Sequence, residues 1–368
     1  MMRLRFKHQH HFLKNLTPWH PGPKTALWLS SLALLTACAS PAATATPTPA
    51  LGPLPTEPTA RPAGPAPTVA ARGAALAGRL LFVQGGNIWL WEGQAGRQLT
   101  SSGDTFQPAW SPNGQRIAYI RRDTSFSDLL VMPAAGGEPL RLSQNGPDSS
   151  VYSYERIYAS TWAFYPAWSP DGATIAFAGQ AGAPTGEPAA EFHLSLFATP
   201  ADSSGGTQLY AEESGHVGRL SYAPDGQSIA FAYGPAGEGV PTIYRYTRGG
   251  SAAPFPGAPA QSYDPAFSHD GRWLAFAARA NGRTDVFAMP VAGGPPTQLT
   301  SMGAARAPAF SPDGKQLAFL AIAPGGNSFD LWVLDLGTGA DGALQVGQPR
   351  QITQGMALDA DSGVAWGR

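Results

Sequence analysis

Five times this chain writes a strand, a proline-opened turn and a second strand. The copies are Pro108-Ala-Trp-Ser-Pro-Asn-Gly114, Pro166-Ala-Trp-Ser-Pro-Asp-Gly172, Leu220-Ser-Tyr-Ala-Pro-Asp-Gly226, Pro265-Ala-Phe-Ser-His-Asp-Gly271 and Pro308-Ala-Phe-Ser-Pro-Asp-Gly314. A sixth begins at Gly363-Val-Ala-Trp366. Each complete copy runs on into a β-type stretch, as in Ile117-Ala-Tyr-Ile120 or Leu317-Ala-Phe-Leu320. In Ser-Pro-Asp-Gly the proline presets φ, the aspartate tolerates the third turn position and the glycine takes the left-handed conformation that closes a hairpin. The aspartate is therefore first a turn former.

Two further strands complete each unit. The third strand is read in Asn87-Ile-Trp-Leu-Trp91, Leu129-Leu-Val-Met132, Leu194-Ser-Leu-Phe197, Ile243-Tyr-Arg-Tyr246, Val286-Phe-Ala-Met289 and Leu331-Trp-Val-Leu334. A fourth follows in segments such as Arg97-Gln-Leu-Thr100, Thr297-Gln-Leu-Thr300 and Arg350-Gln-Ile-Thr353, and is weakest in the fourth unit, at Ala253-Pro-Phe255. The chain enters at Leu80-Leu-Phe-Val83 as a second-type strand and leaves at Gly363-Val-Ala-Trp366 as a first-type strand, so the two ends complete one blade. The expected fold is all-β: a six-bladed β-propeller over residues 79–368 with four-stranded antiparallel blades, closed by pairing of the C-terminal strand with the N-terminal strands. At about 48 residues per blade, the period matches known propeller repeats. The 44 Gly and 36 Pro suit turns and short strands and argue against a helical protein.

The repeat resembles the TolB-type, WD40-like propeller repeat with its Pro-Asp turn, and the resemblance covers essentially all of residues 79–368. It implies a propeller. It leaves function open, because that family spans periplasmic scaffolds, the non-catalytic domain of prolyl-oligopeptidase-like enzymes and many lipoproteins. His269, standing where the other turns carry proline, departs from the pattern within a turn.

Residues 1–38 hold five Lys and Arg, an apolar run at residues 26–35 and the ending Leu35-Thr-Ala-Cys38. The segment resembles a bacterial lipoprotein signal peptide; its apolar run is too short to span a bilayer as a permanent helix. The resemblance implies lipidation of Cys38, the chain's single cysteine, and thus a membrane anchor on an extracytoplasmic, cell-envelope protein. One cysteine also excludes an internal disulfide and a cysteine-based zinc site. Residues 39–78, nearly all Pro, Ala, Thr and Gly, cannot bury a core and are expected to be a disordered, semi-rigid spacer.

With 24 Lys and Arg against 25 Asp and Glu, the net charge of −1 gives no field suited to nucleic acid. Lengthened loops gather on the face opposite the Ser-Pro-Asp-Gly turns: residues 121–128, 179–191, 234–241, 321–329 and above all 143–165, which carries Tyr152, Tyr154, Tyr158, Trp162, Phe164 and Tyr165. Such rings serve contact with a protein or glycan, or fold back as a local core. The residues just before each inner strand, Gln107, Tyr165, Arg219, Asp264, Arg306 and Ser362, should ring the channel mouth. They suit either a polar ligand or a set of charges balancing one another. The candidate ligand-binding residues are accordingly Tyr158, Trp162, Tyr165, Arg219, Asp264 and Arg306.

Catalytic motifs for serine hydrolases, P-loops and zinc peptidases are absent. His193, His216 and His269 fall on three different blades, and Asp359-Ala-Asp-Ser-Gly363 lacks the glutamate that completes a calcium loop. The sequence therefore predicts a monomeric, non-catalytic propeller without cofactor or metal that binds a protein or glycan through its loop-rich face. The alternative is a carbohydrate-active hydrolase or lyase pairing Asp264 with Asp104 or Asp359.

Overall fold

A computed structural model describes residues 69–70, 76–93, 95–147, 153, 155–182, 184, 193–211, 215–235, 240–340 and 342–368. Cys38, the expected signal peptide, most of the expected spacer, Tyr152 and Tyr154 lie outside the described residues. Among the described residues, no helix is long and apolar enough to cross a membrane.

The described chain is an all-β propeller of antiparallel meanders. Its strands fall into five sheets, none closed on itself. The first runs Val69–Ala70, Ala95–Gln98, Asn87–Gly93, Leu76–Gln84 and Ala365–Gly367 in that order. Here the chain's end pairs with its beginning, Arg79 opposite Gly367, Leu80 opposite Trp366 and Leu81 opposite Ala365. Val69–Ala70 and Leu76 to Gly78 precede residue 79, where the propeller was expected to start; they join this sheet, and Leu76 is buried in its core.

Three more sheets have blade size. They begin at Thr105–Trp110, Ser262–Phe267 and Ala305–Phe310. The remaining sheet has eight strands and corrects the expectation of six separate blades: the units starting at Ala163–Trp168 and Gly215–Tyr222 are hydrogen-bonded to each other. One parallel pairing, Leu194 with His216, makes the join. The fourth strand of the first unit, Thr207–Tyr210, pairs with Leu196 to Ala198, and the join lies beyond it, at Leu194.

The repeat's apolar residues do the packing. Trp110, Trp168, Phe267, Phe310 and Trp366, all from the Pro-Ala-Trp/Phe position, are buried, as are Ile117, Ile175, Ile229, Leu274 and Leu317 in the second strands. Each fully buried side chain of this size contributes about 1.5–3 kcal/mol. The first sheet is apolar on both faces: Leu81, Val83, Ile88 and Leu90 meet Trp110 and Tyr119 on one side, and Leu80, Phe82, Trp89 and Trp91 meet Leu320, Leu331 and Val333 on the other.

The Ser-Pro-Asp-Gly turns act as the sequence predicts. Ser169 Oγ donates to Asp171 Oδ1 (2.5 Å) and accepts from Thr174 N (3.0 Å), while Asp171 Oδ1 also accepts from Ala173 N (2.9 Å). The same three bonds recur around Ser268 and Asp270 and around Ser311 and Asp313.

Candidate functional site

The inner strand of each of the five motif copies is interrupted by a register shift, next to the proline in four of them and at Gly218–Arg219 in the third, where Leu220 replaces proline. Proline has no N–H to give a ladder, so it belongs where the ladder breaks. Four residues directly preceding these prolines, Gln107, Tyr165, Asp264 and Ala307, have φ between 53° and 55°, a conformation uncommon outside glycine. A bulge re-aims side chains. Here it turns them toward the mouth of the central channel.

Beyond the mouth lies a cavity of about 420 Å3 whose wall includes Ala109, Ala167, Ser221, Ala266, Ala309 and Ala365, one small residue from each inner strand. At the loop-face end, the expected ring is one chain of contacts. Tyr165 N donates to Gln107 Oε1 (2.8 Å), and the Arg219 guanidinium sits 5.4 Å from the centre of the Tyr165 ring. Arg219 Nε donates to Asp264 Oδ1 (3.0 Å), its Nη1 to Ser362 O (3.1 Å) and its Nη2 to Asp361 O (2.6 Å). Arg306 Nε donates to Asp264 Oδ2 (2.9 Å), its Nη2 to Asp264 Oδ1 (3.4 Å) and its Nη1 to Asp361 Oδ1 (2.7 Å). Ala307 N is a fourth donor to Asp264, at 3.2 Å.

The electrostatics follow. Burial alone would raise the pKa of Asp264, but the charges and hydrogen bonds of Arg219 and Arg306 outweigh it and hold the carboxyl below its ordinary value. Arg306 runs the other way: burial disfavours its charge, and the Asp264 carboxylate more than restores it, so its pKa is raised. Tyr165 is pushed up by burial, against the pull of Arg219. A carboxylate has about four acceptor sites, and those of Asp264 are filled by four donors from its own protein. It is not a carboxylate free to transfer a proton. Of its proposed catalytic partners, Asp104 accepts from Ser102 Oγ and Asp359 from Ser362 N.

The structure thus brings Tyr165, Arg219, Asp264 and Arg306 together with Gln107 and Ser362. Trp162 reaches them through stacked rings: Trp162 on Phe164 (5.8 Å), Phe164 beside Tyr165 (6.0 Å). Tyr158 lies in the short helix Glu155–Ala159. The helix is fastened to the neighbouring insertion by Arg156, 7% exposed, whose Nε donates to Ser125 Oγ (2.8 Å) and whose Nη2 meets Asp123 Oδ1 (3.3 Å). Asn145 Nδ2 donates to Ser127 O (2.6 Å), so residues 121–128 pack with the described residues of the 143–165 insertion.

Three features escaped the sequence reading. Asp361 is the fourth charged member of the mouth. Asp128, Asp285 and Asp330, each near the start of a third strand, are buried and clamp the loop after the fourth strand; Asp330 Oδ1 accepts from Thr353 Oγ1 (3.0 Å) and Met356 N (3.0 Å), and its Oδ2 from Gly355 N (2.9 Å). The signal was an aspartate one residue before the apolar run, paired with the hydroxyl residue that ends the fourth strand. Finally, His193 and His216 are not kept apart: their rings lie 6.2 Å apart across the Leu194–His216 join, and burial, then the charge of His193, lowers the pKa of His216. Among the described residues, no group of three or more His, Cys, Asp or Glu is placed to hold a metal ion.

No family model matches the chain. Over 203 residues it is 29% identical to the uncharacterized peptidase YuxL of Bacillus subtilis (strain 168), a match covering 54% of this chain and 26% of that protein's length. Among solved structures it is similar to TolB from Acinetobacter baumannii, with a TM-score of 0.57 at 20% identity over 79% of this chain and 66% of that one. The putative TolB from Agrobacterium tumefaciens aligns with a TM-score of 0.47 at 17% identity, over 80% of this chain and 99% of that one. The likeness is one of fold: the chain has the TolB-type propeller.

Proposed function

We propose that the chain is a non-catalytic cell-envelope lipoprotein, anchored through Cys38, whose propeller binds a protein or glycan partner through its loop-rich face. The observation that carries this reading is the packing of residues 121–128 against the described residues of the 143–165 insertion, through Asn145 and Arg156. Loops built into one another by a buried arginine present a fixed surface; Ile157 on the helix stands 43% exposed, and Trp162 and Phe164 stack on each other. Exposed apolar and aromatic groups on a rigid base are the usual anchors of a contact surface. In the same reading the eight-stranded sheet is two blades sharing one pairing, which brings the count to six. An apolar cluster of Ala176, Leu196, Val217 and Phe231 lies between its halves, as between separate blades.

The carbohydrate-active alternative needs a free carboxylate at the mouth, and Asp264 is saturated by its own arginines. Turnover of a glycan panel, abolished by Asp264→Asn, would restore that alternative. The binding reading is tested by affinity capture of the full-length protein from its own envelope, compared with Ile157→Asp and Trp162→Ala. Retained species that both variants hold as well as the unaltered protein would remove the loop face from consideration. Cys38→Ala should move the protein from the membrane to the soluble fraction; continued membrane retention would overturn the anchor.

A further inference from the structure

The mouth contains an uneven charge arrangement. Arg219 and Arg306, with side chains 17% and 24% exposed, share one buried carboxylate, that of Asp264 at 4%. That leaves one positive charge in excess. It is matched by Asp361, whose side chain is 75% exposed and reaches Arg306 Nη1 at 2.7 Å. An exposed pair of this kind is held only weakly, so this contact is far easier to exchange than the four that fix Asp264.

What the arginines grip is a piece of peptide. Arg306 takes the carboxylate of Asp361, and Arg219 takes the carbonyls of Asp361 and Ser362 in succession. The backbone is shaped to present them. Gly363 has φ of 68°, and a Cβ there would fall 2.4 Å from Arg219 Nη1, so only glycine lets the guanidinium lie this close to the strap. Under the strap, Ser362 Oγ is buried without a partner, and Arg219 itself lines the 420 Å3 cavity.

We infer that the Arg219–Arg306 pair is a binding site for an acidic peptide segment, which the chain's own Asp361 and Ser362 occupy in the absence of a partner. An incoming carboxylate takes Arg306 Nη1, the carbonyls beside it take Arg219, and residues 359–363 give way, opening the channel from the loop face. The choice of a peptide over another carboxylate rests on the two carbonyl contacts, which a bare anion would not supply. This inference rests on the binding reading given above and names the chemistry of its partner.

The probe is a fluorescent, end-capped hexapeptide copying residues 358–363, Leu-Asp-Ala-Asp-Ser-Gly, added to the full-length protein. A site filled by its own chain binds a competitor more weakly in proportion to the fraction left open, so Asp361→Asn, which loosens an exposed ion pair, should bind the probe about twofold tighter than the unaltered protein. Replacing the probe's second aspartate by asparagine should weaken that binding by a similar factor, and adding Arg306→Met to Asp361→Asn should abolish it. Equal binding by the unaltered protein and Asp361→Asn, no binding by either, or indifference to the probe's carboxylate would overturn the inference. The asparagine probe requires no change in the protein, so it decides the matter even if Arg306→Met does not fold. If an envelope partner is still captured while the acidic probe fails, the mouth is excluded and the loop-face reading stands.

Discussion

On the turn face, Ser169, Ser268 and Ser311 each hold an aspartate two residues away, whereas at the mouth Asp264 is held by arginines 45 and 42 residues distant. The two ends of one channel thus satisfy their carboxylates in opposite ways. A local network repeats with the motif, and each copy stands alone. The mouth is assembled once, from strands of three successive motif copies and the closing segment, so every member depends on the ring being shut.

The sharpest way to break this comparison is at Asp264. Asp264→Ala leaves two half-buried guanidiniums without their shared carboxylate and should cost about 3–5 kcal/mol in urea unfolding. A loss under 1 kcal/mol would mean that the arginines find water as easily as the turn-face groups do. The effects of Arg219→Met and Arg306→Met should also fail to add, with a coupling of about 1–3 kcal/mol, because they share one partner.

Next in size is Asp330→Ala. It strips the acceptor from Thr353 Oγ1 and from the N–H groups of Gly355 and Met356, and should cost about 2–3 kcal/mol. Although buried like Asp264, this aspartate belongs to a repeated and mostly local device. Its loss should therefore be additive with changes at Asp264.

These contrasts explain what could be read in advance. The Ser-Pro-Asp-Gly hairpins, the third strands and the returning end strand follow from spacing, because each depends on neighbours in sequence or on a repeated apolar pattern. The ring of Gln107, Tyr165, Arg219, Asp264, Arg306 and Ser362 was legible because a place one or two residues ahead of the repeated motif recurs with it, although all but Ser362 lie inside the inner strands rather than before them. Its wiring was not: nothing in the spacing says that Arg306 selects Asp361 as well as Asp264. Nor does periodicity reveal the single parallel pairing of Leu194 with His216, which is why the eight-stranded sheet and the approach of His193 to His216 went unforeseen.

Smaller effects belong to the turn face. Asp171→Ala should cost about 0.5–1 kcal/mol, and a double variant with Asp313→Ala should equal the sum of the two within about 0.5 kcal/mol. Their pH behaviour has a definite sign. The pKa of Asp171 is lowered by the Ser169 hydroxyl and then the Ala173 N–H, and that of Asp313 by Ser311 and then Lys315 N, so each binds protons less readily folded than unfolded. Their stabilisation is complete above the unfolded carboxyl value of about 4 and is lost as pH falls through the folded one. The double variant should therefore lose less stability than the unaltered protein between pH 5 and 3; an equal or steeper loss would place the acid-sensitive groups elsewhere.

The smallest expected change is the one at the mouth's exposed edge. Asp361→Asn removes a charge whose side chain is 75% exposed, keeps an oxygen for Arg306 Nη1 and leaves the backbone carbonyls that Arg219 uses, so its cost should be about 0.5 kcal/mol or less. The comparison with Asp264 then becomes a gradient inside one network: the same two arginines, one carboxylate buried and indispensable, one exposed and replaceable. A cost for Asp361→Asn near that of Asp264→Ala would show the four charges acting as a single fixed clasp. A near-neutral change in urea unfolding would leave Arg306 with a donor that the fold does not require.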